Sequence, residues 1–380
     1  MLDLADDVGP ILARFGDSHH HVVFLHHNVA SMIWNGRYRD AWEVQQDLTD
    51  MAERLGDPYA KAYAGVSELA LSNYHRPFSN EAYAAKRQAI DAALAEVDDA
   101  YLRNYYIAHV GHNEVTRGRM VRAREIADSL TAAGQSRNDP RSTGYGIAMS
   151  GLIAMVGNDH ETALRLADEA YRVSKAEFER AIAGATRYVA IVALGMPGAT
   201  EETRRWVADC EGKGWILFGS APDMMVGVGQ VMTGRIDAGL AHIHQVIARR
   251  ESEGFQNTAD WNKLFLAEIY LEILSGGGKA RPGVVLRNIR SVSGVLMFGA
   301  KRIEALIERV RANPHFDPDG FHIARAEMIL GLLHKHKKRK ALALRHLTDA
   351  RRIMERSGDS PVLTRVNAAL AEISGHAQPG

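Results

Sequence analysis

The amino-acid sequence predicts an all-α protein, a right-handed superhelical solenoid built from helix pairs. Apolar residues recur three and four positions apart along nearly all of the 380 residues, as they do along the buried face of a helix. The dipeptide Gly-Arg recurs at Gly36, Gly118 and Gly234, with looser equivalents at Gly157 and Gly195, so that turns recur every 38 to 41 residues. A period of this length with two helices per unit indicates a helical solenoid.

Small residues flank these turns at fixed distances. Residues small enough for two helices to touch precede the turn by seven positions or follow it by five: Gly111, Ser150, Gly227, Ala41, Ala123 and Gly239. This pattern resembles the tetratricopeptide repeat, with units about five residues longer than its usual 34. Helices longer by about one turn would account for the difference.

The helices are expected in a regular order. Six helix pairs are predicted at 19–55, 59–97, 100–135, 141–175, 177–212 and 220–252. A seventh pair begins near Asn257 and is interrupted by the glycine-rich stretch 275–283. A helical segment at 284–312, a last pair at 321–356 and a capping helix at 361–374 follow. We therefore divide the chain into a repeat array at 1–256, C-terminal repeats with an inserted segment at 257–374, and a frayed tail at 375–380.

Composition limits the classes of function. Lys plus Arg number 46 and so do Asp plus Glu, and this zero net charge argues against a nucleic-acid binder, which needs a basic excess. The single cysteine, Cys210, excludes an internal disulfide and a thiolate-cluster zinc site. The acidic N-terminus does not resemble a secretory signal, and the apolar stretch 182–194 is too short to cross a bilayer. We expect a cytoplasmic protein with no membrane or nucleic-acid partner.

Motifs for catalysis or cofactor binding are incomplete. The histidines between His19 and His27 crowd one segment, but a polar helix face or satisfied interhelical histidines explain them better than a metal site does. The Gly-Gly-Gly-Lys sequence ending at Lys279 lacks the glycine and the hydroxyl residue of a phosphate-binding loop, because Ile273 and Ala280 stand there. No cofactor, metal or catalytic residue is therefore predicted. An enzyme using His315, Asp317 and Asp319 is the weakest of three hypotheses.

Two sets of residues are candidates for partner binding. Tetratricopeptide arrays bind ligands in the concave groove that their first helices line. In the third repeat this face would carry Tyr105, His109 and His112. A basic run supplies five cations for an acidic or phosphate-bearing partner: Lys335, Lys337, Lys338, Arg339 and Lys340. The run also coincides with a predicted turn between two helices, where a solvated charge cluster needs no partner.

The C-terminal hundred residues carry a more specific resemblance. The segments 265–275, 302–309 and 312–320 are similar to the helical arm of bacterial multidomain class III adenylate and guanylate cyclases. The resemblance covers about 257–374 and implies a partner such as a cyclase or ATPase module. None of that family's catalytic motifs is present in this chain.

Two functions follow as hypotheses. The leading one is a non-catalytic protein-interaction or regulatory module in cyclase-type signalling, with a protein or peptide partner. The alternative is a small-molecule-sensing solenoid, with the ligand in the concave groove under the inserted segment 280–320.

Overall fold

The protein is described here by a computed structural model that covers residues 2–14, 16–276, 288–314, 318–356 and 360–375. These residues form eighteen helices and no strand. The first nine are α1 Leu2–Ala13, α2 His19–Trp34, α3 Tyr38–Leu55, α4 Pro58–Ser72, α5 Asn80–Ala95, α6 Ala100–Thr116, α7 Met120–Ser136, α8 Pro140–Val156 and α9 His160–Val173. The others are α10 Glu177–Ala193, α11 Ala199–Gly212, α12 Ile216–Met232, α13 Ile236–Glu253, α14 Gln256–Leu274, α15 Ile289–Arg311, α16 Phe321–His336, α17 Lys340–Glu355 and α18 Pro361–Ser374.

The helices form eight consecutive pairs. Each pair consists of an even-numbered first helix and the odd-numbered helix after it, from α2 with α3 to α16 with α17. The predicted all-α repeat fold is confirmed. Two helices differ from expectation. Helix α1 was not predicted and precedes the first pair, and α12 begins at Ile216 instead of residue 220, with Pro222 inside it. No helix among the described residues is long and apolar enough to span a membrane.

The turns inside the pairs explain the repeating glycines. Gly36, Gly118 and Gly234 have φ values of 73°, 77° and 83°, a left-handed conformation that costs glycine little because it has no Cβ. Gly157 was assigned this role wrongly. It is right-handed, with φ of −73°, and the next residue, Asn158, takes the left-handed position with φ of 64°. Asparagine tolerates the left-handed conformation better than most other side chains, so the turn forms with its left-handed residue one position later.

Close packing inside a pair depends on the small residues around the turn. In the sixth pair a Cβ on Gly239 would lie 2.6 Å from the carbonyl oxygen of Gly227, and a Cβ on Gly227 would lie 2.6 Å from Ile243. These two glycines stand seven residues before and five residues after the turn glycine, as the repeat predicts. Any larger residue would force α12 and α13 apart.

The pairs also contact each other across a longer interval. The turn of one pair meets the start of the first helix five pairs later: Gly36 with Ile216, His75 with Gly254, Gly118 with Phe321, and Gly157 with Ser360. One turn of the superhelix therefore takes about five pairs, and the later pairs lie against the earlier ones as a second layer. We call these contacts the layer seam. Residues next to this seam line the space between the first helices.

Some predicted features lie outside the described residues. Residues 277–287 belong to this group and include most of the glycine-rich stretch 275–283 and the start of the predicted segment 284–312; His315, Asp317 and residues 376–380 belong to it too. Asp319 is described, and it accepts hydrogen bonds from Arg352 and Arg356 at 2.9 and 2.8 Å.

Candidate functional site

A central cavity of about 1480 Å³ lies inside the superhelix. Its lining comes almost entirely from the first helices of the pairs, with α15 and α18 at one end. Apolar side chains of α8, α10 and α12 form much of the wall: Met149, Leu152, Ile182, Val189, Met224 and Val228. Ligand pockets commonly measure about 300–1,000 Å³, so this cavity is large enough for a small molecule or a short peptide.

Tyr105, His109 and His112 all line this cavity, where the sequence placed them. They lie on one face of α6, and the rings of Tyr105 and His109 meet edge-on with centroids 4.3 Å apart. His112 packs against Tyr74, with centroids 5.4 Å apart. Their part in binding remains a prediction, but their side chains are correctly oriented for it.

The two histidines are neutral at physiological pH. Burial lowers the pKa of His109 to about 3, with a smaller contribution from the neighbouring His112. Burial alone lowers the pKa of His112 to about 4. Each ring keeps a modest exposed surface, and this surface faces the cavity. Both rings can therefore donate or accept a hydrogen bond without bringing charge into the cavity.

Two asparagines at the layer seam form what we call the asparagine pole, together with His109. The side-chain amide of Asn257 donates to the backbone carbonyl of Asn73 at 2.7 Å. The amide of Asn73 in turn donates to Nδ1 of His109 at 3.2 Å, so the proton of this ring lies on Nε2. Oδ1 of Asn73 and Oδ1 of Asn257 are buried and have no hydrogen-bond partner in the described parts of the chain. Both residues line the cavity, but these two acceptor oxygens are buried within its wall.

An arginine–glutamate pair, which we call the arginine pole, lies further along α14. Arg325 on α16 is 1% exposed, and its Nε and Nη2 donate to the two carboxylate oxygens of Glu268 at 2.7 and 2.9 Å. The guanidinium lies over the rings of Phe265 and Trp261, 4.4 and 5.5 Å from their centroids. Nη1 of Arg325 is buried and has no partner among the described residues.

His160 adds a second unsatisfied atom beside Arg325. Its Nδ1 is buried and lacks a hydrogen-bond partner within the described ranges. Burial lowers the pKa of His160, and the positive charge of Arg325 lowers it further. This imidazole is therefore neutral, and it lies close enough to the guanidinium of Arg325 for that positive charge to lower its pKa.

Sequence reasoning missed Asn73, Asn257 and Arg325. The latter two are polar residues on the apolar face of a first helix, and this was the available signal. The repeat period could not show that residues about 180 positions apart meet at the layer seam, because this requires knowing how many pairs make one superhelical turn.

The basic run lies away from the cavity. Its residues surround the turn between α16 and α17 and none lines the cavity: Lys335, Lys337, Lys338, Arg339 and Lys340. Lys335 pairs with Glu372, and Lys337 pairs with Glu304 at 3.1 Å. The other three side chains are exposed.

The remaining reactive side chains have structural roles. His26 is buried with its Nδ1 2.8 Å from Oγ of Ser67, and His19 contacts Asp57 at 2.9 Å. Burial raises the pKa of Cys210 to about 12, so its thiol is not a ready nucleophile. Within the described residues, no group of three or more potential ligands is arranged to hold a metal ion.

No protein-family model matches this chain, and no curated protein matches its sequence. Among solved structures, the fold is similar to that in the "Crystal Structure of Rap Protein Complexed with Competence and Sporulation Factor". The TM-score is 0.56 at 11% sequence identity, and the match covers 94% of this chain and 98% of that chain. At this identity the likeness shows the fold alone, a tetratricopeptide-like helical repeat.

Proposed function

We propose that this protein is a non-catalytic regulatory module that binds a short peptide in its central cavity and engages a protein partner on its outer surface. The observation that carries the proposal is a large, largely apolar cavity lined by the first helices, with a few polar side chains on its wall. Ligand pockets are typically apolar with a small number of polar groups that orient the ligand, so this lining favours a ligand that combines apolar and polar groups.

The chemistry of the cavity suits a peptide. The polar side chains of Asn73, His109 and Asn257 line one part of the wall and can hydrogen-bond a peptide backbone, and the apolar remainder of the wall can bury the peptide's side chains. Asn257 and Phe265 are eight residues apart on α14, so the asparagine and arginine poles are separated by about 12 Å along that helix. An extended chain spans about 3.3–3.6 Å per residue, and about four residues would connect the poles.

The structural comparison supports the same proposal at the level of fold. The similar Rap protein was crystallised in complex with competence and sporulation factor, so a protein of this fold can bind another molecule. Similarity of fold supports binding in general and does not identify a ligand. The cavity of this chain is the feature that favours a peptide.

Affinity selection from a randomised pentapeptide library, read by mass spectrometry, tests the proposal. We expect the purified protein to retain a subset of peptides, and their synthetic versions to raise the melting temperature, since they bind only the folded state. Ala221 lines the cavity, and Ala221→Phe should abolish retention by occupying the space. Ala132 is exposed on α7, and Ala132→Phe is the matched control. Retention of no peptide, or equal retention by the Ala221 variant, would contradict peptide binding.

A small-molecule ligand is the second candidate, favoured by the size of the cavity. A melting-temperature screen against nucleotides and metabolites would reveal it if the peptide library does not bind. The cyclase-type context and a cyclase or ATPase partner rest on the resemblance of 257–374. A pull-down of a cyclase or ATPase module by the native protein, compared with a variant whose basic run is neutralised, tests this partner separately.

A further inference from the structure

We propose that the exposed side of α15 around Leu296, Met297 and Phe298, which we call the α15 patch, docks an acidic amphipathic helix of a partner protein. This inference rests on the part of the proposed function in which a protein partner binds the outer surface. It adds the place where the partner binds and the chemistry that the partner carries. It does not depend on a ligand in the cavity.

The α15 patch is a concentration of exposed apolar side chains. Leu296, Met297 and Phe298 are 57, 68 and 53% exposed, and no other helix in the described part of the chain exposes three consecutive large apolar side chains. Consecutive helical residues point about 100° apart, so these three cover about 200° of the helix circumference. Val295 and Gly299, on the remaining side, are buried. A contiguous exposed apolar surface of this kind marks an interaction site.

Cations stand at both ends of the α15 patch. Arg290 is seven residues before Met297 and Lys301 is four residues after it, so these three lie along one side of the helix. Arg302 follows Phe298 by four residues and lies on the same side as that ring. None of the three cations pairs with a carboxylate among the described residues. The apolar centre is therefore flanked by positive charge that the described structure does not neutralise.

This charge pattern favours an acidic partner. Residues 288–303 contain no Asp or Glu, so no carboxylate in this part of α15 offsets the cations. Arg290 and Lys301 are eleven residues apart, which is about 16 Å along the helix. Carboxylates about that far apart on a partner, with apolar side chains between them, would complement both the charges and the apolar centre. Such complementarity speeds association and suppresses wrong partners.

A helix is the partner conformation that suits α15. An extended segment binds through backbone hydrogen bonds to a sheet edge, and α15 offers none because the backbone groups inside a helix are already paired. A helix binds through apolar side chains three and four positions apart, which can pack around Met297 and Phe298. A lipid surface fits less well, because Glu308 is exposed eleven residues after Met297, on the same side of α15, where it would face anionic head groups.

Two libraries of helix-forming peptides test the charge preference. Both carry apolar residues three and four positions apart, and the other positions are rich in Glu in one library and in Lys in the other. We expect the native protein to retain acidic peptides at least about tenfold more strongly than basic ones, the ratio that about 1.4 kcal/mol produces. Ala221→Phe, which fills the cavity, should keep this preference.

The failures of the two proposals are distinguishable. Retention of pentapeptides in the cavity without retention of acidic helical peptides would overturn the α15 inference alone. Retention of neither kind of peptide would overturn the proposed function as well. Equal retention of acidic and basic helical peptides, or a preference for basic ones, would refute the charge argument.

Paired apolar substitutions assign the binding to the α15 patch. Met297→Ser with Phe298→Ser should reduce retention of acidic helical peptides at least about tenfold. Val121→Ser with Tyr171→Ser is the matched control and should leave retention unchanged, because these side chains are exposed on α7 and α9. Undiminished retention by the Met297 and Phe298 variant would refute the docking surface.

Paired charge substitutions separate the α15 patch from the basic run. Arg290→Gln with Lys301→Gln should lower the preference for acidic over basic peptides. Arg339→Gln with Lys340→Gln, at exposed positions of the basic run, should not. Loss of the preference in the second variant alone would assign it to the basic run and overturn the inference.

Two other occupants of the α15 patch are tested with the same proteins. We expect the native protein to be monomeric by light scattering and not to sediment with vesicles of phosphatidylcholine and phosphatidylserine. A dimer that Met297→Ser with Phe298→Ser dissociates would show that a second copy of the chain covers the patch. Vesicle binding that the same variant loses would show that a lipid surface covers it. Either result would overturn docking of an acidic helix.

Discussion

The turns of the third and eighth pairs occupy equivalent positions in the repeat and have opposite surroundings. Gly118, at the third turn, lies against the start of α16 at the layer seam, where a Cβ would be 2.5 Å from the backbone nitrogen of Phe321. Lys338, at the eighth turn, is exposed and holds the same left-handed conformation, with φ of 57°. In the described chain only α18 follows the eighth pair, so no first helix five pairs later covers this turn.

This difference shows that two positions matter in a repeat protein: that of a residue within its repeat, and that of the repeat along the superhelix. The position of a residue within its repeat determines its backbone conformation, and Gly118 and Lys338 share that. The position of the repeat along the superhelix determines whether the residue is covered. The candidate residues of α6 lie on the cavity wall, whereas the basic run lies on the outer surface, because a first helix faces inward and a turn lies at the edge of the array.

Substitution of Gly118 should have the largest effect on stability, and it tests most directly whether the covered third turn differs from the exposed eighth turn. In Gly118→Ala, a left-handed residue acquires a Cβ that clashes with a backbone atom of the second layer. We expect the free energy of unfolding in urea to fall by about 2–5 kcal/mol, the sum of conformational cost and overpacking. Gly195→Ala is the control, because its φ is 66° but its Cβ would meet only Met232 at 3.7 Å. Equal losses in the two variants would mean that the layer seam adds no stability.

Acid should destabilise the third pair through its buried histidines. The pKa values of His109 and His112 are about 3 and about 4 in the folded state, below the unfolded value of about 6.5. Below pH 6.5 the unfolded chain therefore binds more protons, and stability falls as pH decreases toward 4. Each histidine contributes about 1.4 kcal/mol per pH unit in this window.

Urea unfolding at pH 7.5, 6.0 and 5.0 measures this dependence. His109→Gln should reduce the slope by the share of one histidine, whatever its effect on stability at pH 7.5. His336→Gln, at an exposed position beside the basic run, should leave the slope unchanged. A His109 variant with the native slope would show that this ring is not held neutral by burial.

Replacing Lys338 by glycine should stabilise the eighth turn slightly. A left-handed non-glycine residue costs about 1–2 kcal/mol, and the added freedom of glycine in the unfolded chain offsets about 0.5–1 kcal/mol of the gain. We expect an increase of about 0.5 kcal/mol in the free energy of unfolding. Lys337→Gly, where φ is −75°, should instead lower stability. A loss in both variants would indicate that Lys338 makes a stabilising contact.

Neutralising the exposed part of the basic run should have the smallest effect on stability. Lys338→Ala, Arg339→Ala and Lys340→Ala together should change the free energy of unfolding by less than about 0.5 kcal/mol, as surface substitutions usually do. Peptide retention in the cavity should also be unchanged. If the run binds an acidic partner protein, affinity for that partner and its dependence on salt should both fall. Loss of peptide retention would contradict the separation of the two regions.

The fold was predictable because its signals are local. The turn at Gly234, its flanking glycines Gly227 and Gly239, and the apolar stripes of each helix recur within about forty residues. The turn at Gly157 was assigned one residue too early, since asparagine can replace glycine in the left-handed position. Of the candidate residues, Tyr105, His109 and His112 were assigned to the concave groove from their position in a first helix of the repeat, and they line the cavity.

Local patterns thus established the helices, their pairing and the inward face of α6. The tertiary structure added the layer seam, the central cavity and the two poles, since these depend on contacts between distant residues, such as Asn73 with Asn257 and Glu268 with Arg325. The physical reason is that small rotations at each pair interface accumulate along the array. Each repeat determines how it packs against its neighbours. Only the rotation accumulated along the array determines which distant residues meet.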